Sequence, residues 1–397
     1  MFYFKKGFGK LSSLQFAILI AVTALLTTFV GATLIRQKSQ VDLQQSIVQS
    51  NPESKKIVPN ISSLPEVPKS SILAETYAIP QIKRVYKIEN IEIAYNDTKL
   101  PEFKKSTRLQ EIVSDIIALT QKQKLPKQSL SITLIDVKNN EYAEYQQEIP
   151  RFPASVVKTF WMVNFFAQAE KGLLDEATFA PYLHEMIKRS DNNSASYILD
   201  SLTQTESGKE LQGKDYDDWL NKRQKVNKFF KSAGYTDINV NQKTFPITYQ
   251  KIYEPKGSDL KMRGNPNHPI RNKVSTQKAA KLFYEIYSKE AVSAQASQKM
   301  IDLLTIDPAT RIEKKHLKNP DEFNPVRGYF SEVIPNDIYI GAKAGWTSST
   351  RQEAAYIATP DGKTAYILVV FAEDRAYAQN EKIFPQISKL VLNRMTK

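Results

Sequence analysis

A chain of 397 residues has room for one large domain or two small ones, each with a proper hydrophobic core. Hydrophobic residues make up 41% and charged residues 24%, which excludes wholesale disorder; the lack of cysteine excludes disulfides, thiolate metal sites and a cysteine nucleophile. Fifty-five Lys and Arg against 42 Asp and Glu leave a charge of +13, which suits an anionic neighbour or simply keeps the surface soluble.

Leu14 to Ile35 is a run of 22 residues without a charge, enough for about 33 Å of helix. Lys5, Lys6 and Lys10 precede it, so residues 1–13 are expected in the cytoplasm and 14–35 across a membrane as an uncleaved anchor. Residues 36–100 turn polar, and Pro52, Pro59, Pro65, Pro68 and Pro80 break any periodicity, as in a tether. The folded domain is expected over 101–397, outside the cytoplasm.

In that domain Leu109, Ile112, Val113, Ile116, Ile117 and Leu119 recur at helical spacing. Ser129–Val137 and Glu141–Gln146 read as strands around Asn139 and Asn140. Tyr339–Lys343, Ala354–Ala358 and Ala365–Phe371 read as three more, with Pro360-Asp361-Gly362 turning between the last two, and a closing helix spans Ala378–Asn393. Roughly 190 mostly helical residues lie between the strand groups. The expected fold is therefore a mixed α/β one: a sheet covered by helices, beside an all-α subdomain.

Ser-x-x-Lys occurs three times, at Ser155–Lys158, Ser258–Lys261 and Ser275–Lys278. Ser258 falls in a Gly- and Pro-rich loop where nothing fixes its lysine, and Ser275 or Thr276 caps a following helix. Ser155 instead enters a helix buried by Val157, Phe160, Trp161, Val163, Phe165 and Phe166. Residues three apart share a helix face, so the Lys158 amine reaches the Ser155 hydroxyl. Burial and a second cation would lower the lysine pKa until it accepts the serine proton. The three histidines, His184, His268 and His316, lie far apart without ligand spacing, so no metal and no cofactor is expected. Gly208–Lys214 spells a phosphate-loop pattern, but Asp215 fills the hydroxyl position and no strand precedes it; nucleic acid is not an expected partner.

RFPASVVK resembles the nucleophile segment of class A serine β-lactamases and penicillin-binding proteins. Ser190-Asp191-Asn192 with its continuation NSASYILD, Lys343-Ala344-Gly345, NKVSTQKAAKLFYEIY and the TPDGK hairpin follow in the family's order. The resemblance implies an antiparallel sheet flanked by helices with an inserted all-α subdomain. It implies Ser155 as acylated nucleophile, Lys158 as base, Ser190 as proton relay and Asn192 as ligand for the substrate amide. Lys343 and Thr347 would hold the substrate, while backbone N–H groups of Ser155 and Trp346, beside Gly345, would form the oxyanion hole. Taken singly, Ser190 reads as an N-cap, Asn192 as a surface amide and Lys343 as a strand-edge charge.

The pattern is also broken. Ala344 lacks the hydroxyl the family uses on a substrate carboxylate, leaving Thr347, Ser348, Ser349 or Arg351 as replacements. A charged insertion lies around Thr203–Lys225, and the deacylating glutamate's motif is missing. Glu254 is nearest by position, though Lys-Gly-Ser follows its proline and a solvated loop glutamate is the competing reading. The expected function is an exported, membrane-anchored serine hydrolase, a monomer, that opens β-lactam amides through acyl-Ser155. The alternatives are a D-Ala-D-Ala peptidase acting on peptidoglycan stem peptides, or a non-catalytic module of the same fold.

Overall fold

The structure is a computed structural model that describes residues 102–317 and 323–397, so the cytoplasmic, anchor and tether readings lie outside the described residues. No helix among the described residues is long and apolar enough to cross a membrane.

Among the described residues six strands form one sheet: β1 (Lys104–Lys105), β2 (Leu130–Asp136), β3 (Glu141–Tyr145), β4 (Tyr339–Thr347), β5 (Thr350–Ala358) and β6 (Ala365–Ala372). Their order across the sheet is β1-β3-β2-β6-β5-β4. The expected antiparallel sheet needs one amendment. The two-residue β1 runs parallel to β3 at the edge, too short a pairing to leave a pattern in the sequence. Strands from the two chain ends meet at β2–β6, where Ile132 faces Val370 and Leu134 faces Leu368.

Two hydrophobic layers sandwich the sheet. On one face, helices Thr107–Lys122 and Ile383–Met395 bury Leu109, Ile112, Ile116, Ile387 and Val391. On the other lie helix Thr276–Tyr287 and a helical subdomain built around Val157–Glu170. Val157 through Gln168 are all buried, which marks a central helix rather than a surface one. Ser275 caps Thr276–Tyr287 by accepting from Lys278 N (3.3 Å). The expected closing helix breaks in two, Arg375–Gln379 and Ile383–Met395, because the Asn380 side chain accepts from Lys382 N and Ile383 N and starts the second piece.

β4 and β5 run longer than their apolar cores, joined through Trp346↔Arg351 and Thr347↔Thr350. Packing also requires a glycine at position 341 of β4. A Cβ at Gly341 would lie 1.7 Å from the Tyr287 Oη, and the Tyr287 ring is stacked on Tyr356 at 4.0 Å. Gly341→Ala must expel that ring, so chemical denaturation is expected to show a loss of about 1–3 kcal/mol. An unchanged midpoint would contradict this packing.

The insertion is not a solvated appendage. Helix Gly213–Arg223 buries Trp219 and Arg223. Arg223 meets Asp200 (3.1 Å) on helix Asn192–Thr203 and Asp259 (3.4 Å) on helix Gly257–Arg263, while Lys243 pairs with the other Asp200 oxygen. Ser258, expected in a loop, lies instead in Gly257–Arg263, where its hydroxyl accepts from Leu211 N and donates to Lys209 O.

Candidate active site

Ser155 lies in a 3-10 turn, Ala154–Val156, immediately before helix Val157–Glu170. Ala154 takes a left-handed φ of 47°, a conformation that costs energy outside glycine and accumulates at functional sites. β4 presses against this turn. A Cβ on Gly345 would lie 2.8 Å from Ser155 N and 2.9 Å from Pro153 O, so only glycine lets the strand and the serine come so close.

Lys158 follows by one helical turn and is fully buried. Its Nζ contacts Ser190 O (2.5 Å), Asn192 Oδ1 (2.8 Å) and, more loosely, Ser190 Oγ (3.4 Å). The expected contact with the Ser155 hydroxyl is not made: among the described residues that hydroxyl has no hydrogen-bond partner. A buried amine must satisfy its N–H groups, and a carbonyl and an amide oxygen are better acceptors than a serine hydroxyl. Its pKa is held well below the ordinary lysine value, first by burial and then by the charge of Lys343.

Ser190 also has a left-handed φ, 57°. It does not cap the next helix. Asp191 does, accepting from Ser194 N at 2.6 Å, which frees the Ser190 hydroxyl to turn inward. Lys343 Nζ donates to Ser190 Oγ (2.9 Å) and to Ala344 O (3.0 Å). Asn192 is no surface amide: beside Lys158, its Nδ2 donates to Phe245 O (2.9 Å). Segments more than 150 residues apart in sequence thus converge beside Ser155, which is only half-buried.

Burial also lowers the Lys343 pKa, to about 7. The folded protein releases this proton near pH 7, whereas an unfolded chain holds it to about pH 10.5. The unfolded state therefore binds more protons between those values, and stability rises with pH across the window. The increment is at most about 5 kcal/mol, and urea unfolding at about pH 7 and about pH 10 should show a larger rise in the wild type than in Lys343→Met, where the other buried lysines still contribute.

Other expected residues are placed differently. Glu254 is exposed, and no hydrogen bond or ion pair described joins it to the cluster. Arg351 is buried, its guanidinium donating to the carbonyls of Gly328 (3.0 Å), Tyr377 (3.2 Å) and Ala378 (2.9 Å), so it does not replace the missing hydroxyl. Thr347 shares its hydroxyl with Thr350 Oγ1 (3.0 Å) within the turn. Trp346 is half exposed, its indole Nε1 fixed to Ala378 O (2.9 Å). Two neighbours left no sequence signal: Phe245, whose backbone carbonyl holds Asn192, and Phe323, whose ring centre lies 5.4 Å from Lys343 Nζ.

A sheet of this topology, a buried Ser-x-x-Lys turn and a second lysine meeting at one serine hydroxyl define a β-lactamase-type fold. The model of the β-lactamase enzyme family matches residues 176–395, and the chain belongs to that family. The match begins after Ser155 and Lys158. Among solved structures, the TLA-1 extended-spectrum β-lactamase superposes with a TM-score of 0.50 at 14% identity, over 73% of this chain and 99% of that one. A β-lactamase from Sphaerobacter thermophilus gives 0.48 at 16% over 72% and 97%, and PBP-A gives 0.48 at 16% over 74% and 98%. No curated protein matches the chain.

Proposed function

We propose that the protein is an acyl-serine enzyme that takes acyl groups, β-lactams included, onto Ser155 and releases them slowly. The observation that carries this reading is the Lys158–Ser190–Lys343 network beside an unpartnered, half-buried serine. A neutral lysine has two N–H groups and one lone pair. The contacts at 2.5 and 2.8 Å occupy the N–H groups, leaving the lone pair for the Ser155 proton. As that proton moves, Ser155 Oγ bonds to the acyl carbon and the carbon–nitrogen bond breaks. The proton then returns through the Ser190 hydroxyl to the departing nitrogen. The Ser155 and Trp346 N–H groups receive the carbonyl oxygen where β4 crosses the serine turn. Lys343 keeps Lys158 neutral and orients Ser190.

Hydrolysis needs a second base to activate water. Among the described residues no carboxylate hydrogen-bonds to Ser155, Lys158, Ser190, Asn192 or Lys343; Asn192 meets the Phe245 carbonyl instead. The ester therefore persists, as in a penicillin-binding protein rather than an efficient β-lactamase. Rapid mixing with a chromogenic cephalosporin should give one equivalent of product and then almost none; sustained turnover would refute slow release. The uncharged run at Leu14–Ile35 supports an anchored domain outside the cytoplasm.

A further inference from the structure

The side-chain nitrogens described for Lys158, Lys343 and Arg351 all point at protein atoms rather than at open solvent. Lys158 is enclosed by Ser190 and Asn192. Arg351 pairs in register with Trp346, and its guanidinium is taken up by three backbone carbonyls. Lys343 gives N–H groups to Ser190 Oγ and Ala344 O, and with the Phe323 ring 5.4 Å from its nitrogen it is only 2% exposed. Beside Lys343 itself, Ala344 has no hydroxyl; Thr347 is bound to Thr350 and accepts from Ser349 N, and Ser348 and Ser349 lie exposed in the turn beyond it. A carboxylate entering beside Lys343 would shed its water without reaching the shielded nitrogen, which is costly.

We infer that the substrate is uncharged on the leaving-group side, an ester, thioester or amide without an adjacent carboxylate, and that Phe323 sets this preference by covering Lys343. The half-exposed Trp346 indole, held by its bond to Ala378 O, supplies an apolar surface for such a group. This inference rests on the acyl-serine reading and names its substrate class. Anionic β-lactams then acylate more slowly than a neutral acyl donor of equal intrinsic reactivity.

The test uses the full chain and two thioesters: the phenylacetylglycyl thioester of mercaptoacetic acid, and its methyl ester. In either, Ser155 Oγ bonds to the glycyl carbonyl carbon, the carbon–sulfur bond breaks, and the serine proton leaves on the thiol. Acylation is followed by intact mass, with each rate divided by the compound's rate with hydroxylamine. The neutral ester should react at least about tenfold faster than the free acid. Phe323→Ala should raise the free-acid rate severalfold relative to the ester rate, since the cover over the cation is removed. Phe323→Leu, which keeps the bulk, should behave like the wild type, and the ester rate reports folding in both variants. A free acid that reacts as fast as the ester, or a ratio unmoved in Phe323→Ala, overturns the inference while the acyl-serine reading stands. If neither compound labels Ser155, the acyl-serine reading fails and the inference with it.

Discussion

Replacing Lys158 by alanine is expected to slow acylation of Ser155 by about a thousandfold, within the range of a removed general base. The more telling substitution is Lys158→Arg. It preserves a positive charge and hydrogen-bond donors, but a guanidinium gives up no proton in water and accepts none. If Lys158 acts by taking a proton, arginine is as inactive as alanine. If it acts only as a cation, arginine restores much of the rate. The depressed pKa, caused by burial and by Lys343, favours the first outcome. Acylation rate against pH gives a second readout, because Lys343→Met removes the neighbouring charge and should move the acylation limb to higher pH.

The second large effect concerns stability. Arg223→Met should destabilise the fold by about 3–5 kcal/mol, the cost of leaving buried carboxylates without their partner. Asp200 and Asp259 are both buried, and burial already pushes the Asp200 pKa up while it pulls that of Lys243 down. Only part of the charge is compensated once Arg223 is gone, because Lys243 serves one Asp200 oxygen and does not reach Asp259. Helix Asn192–Thr203 carries Asp200 near one end and Asn192 at the other, so hydrogen exchange should rise there and in helix Gly213–Arg223 together. A loss below about 1 kcal/mol would mean that the insertion is held by apolar contacts such as Trp219 instead.

Much of the sheet was legible because turn residues bound its strands, as Asn139 and Asn140 do before Glu141–Tyr145, and apolar runs mark the buried Ala365–Ala372. The ends of β4 and β5 were not, since Lys343, Gly345, Arg351, Gln352 and Glu353 are polar or small residues in buried positions, against the apolar pattern of a buried strand. Ser-x-x-Lys alone was ambiguous among three copies. What distinguished Ser155 was the apolar helix behind it, and that same burial selects the acceptors of Lys158. The fourfold charge cluster left no trace because Asp200, Arg223, Lys243 and Asp259 are ordinary surface residues at any separation along the chain. Phe323 and Phe245 were invisible for the same reason: a ring over a cation and a carbonyl on an amide depend on the path of two loops.

In the proposed mechanism a neutral Lys158 makes the Ser155 hydroxyl nucleophilic. Incubation of the full chain with benzylpenicillin, followed by intact mass and peptide mapping, tests it most directly. One penicilloyl group per chain is expected, on the peptide containing Ser155, persisting for hours and absent in Ser155→Ala. A chain that stays unmodified, or an adduct that survives Ser155→Ala, would contradict it.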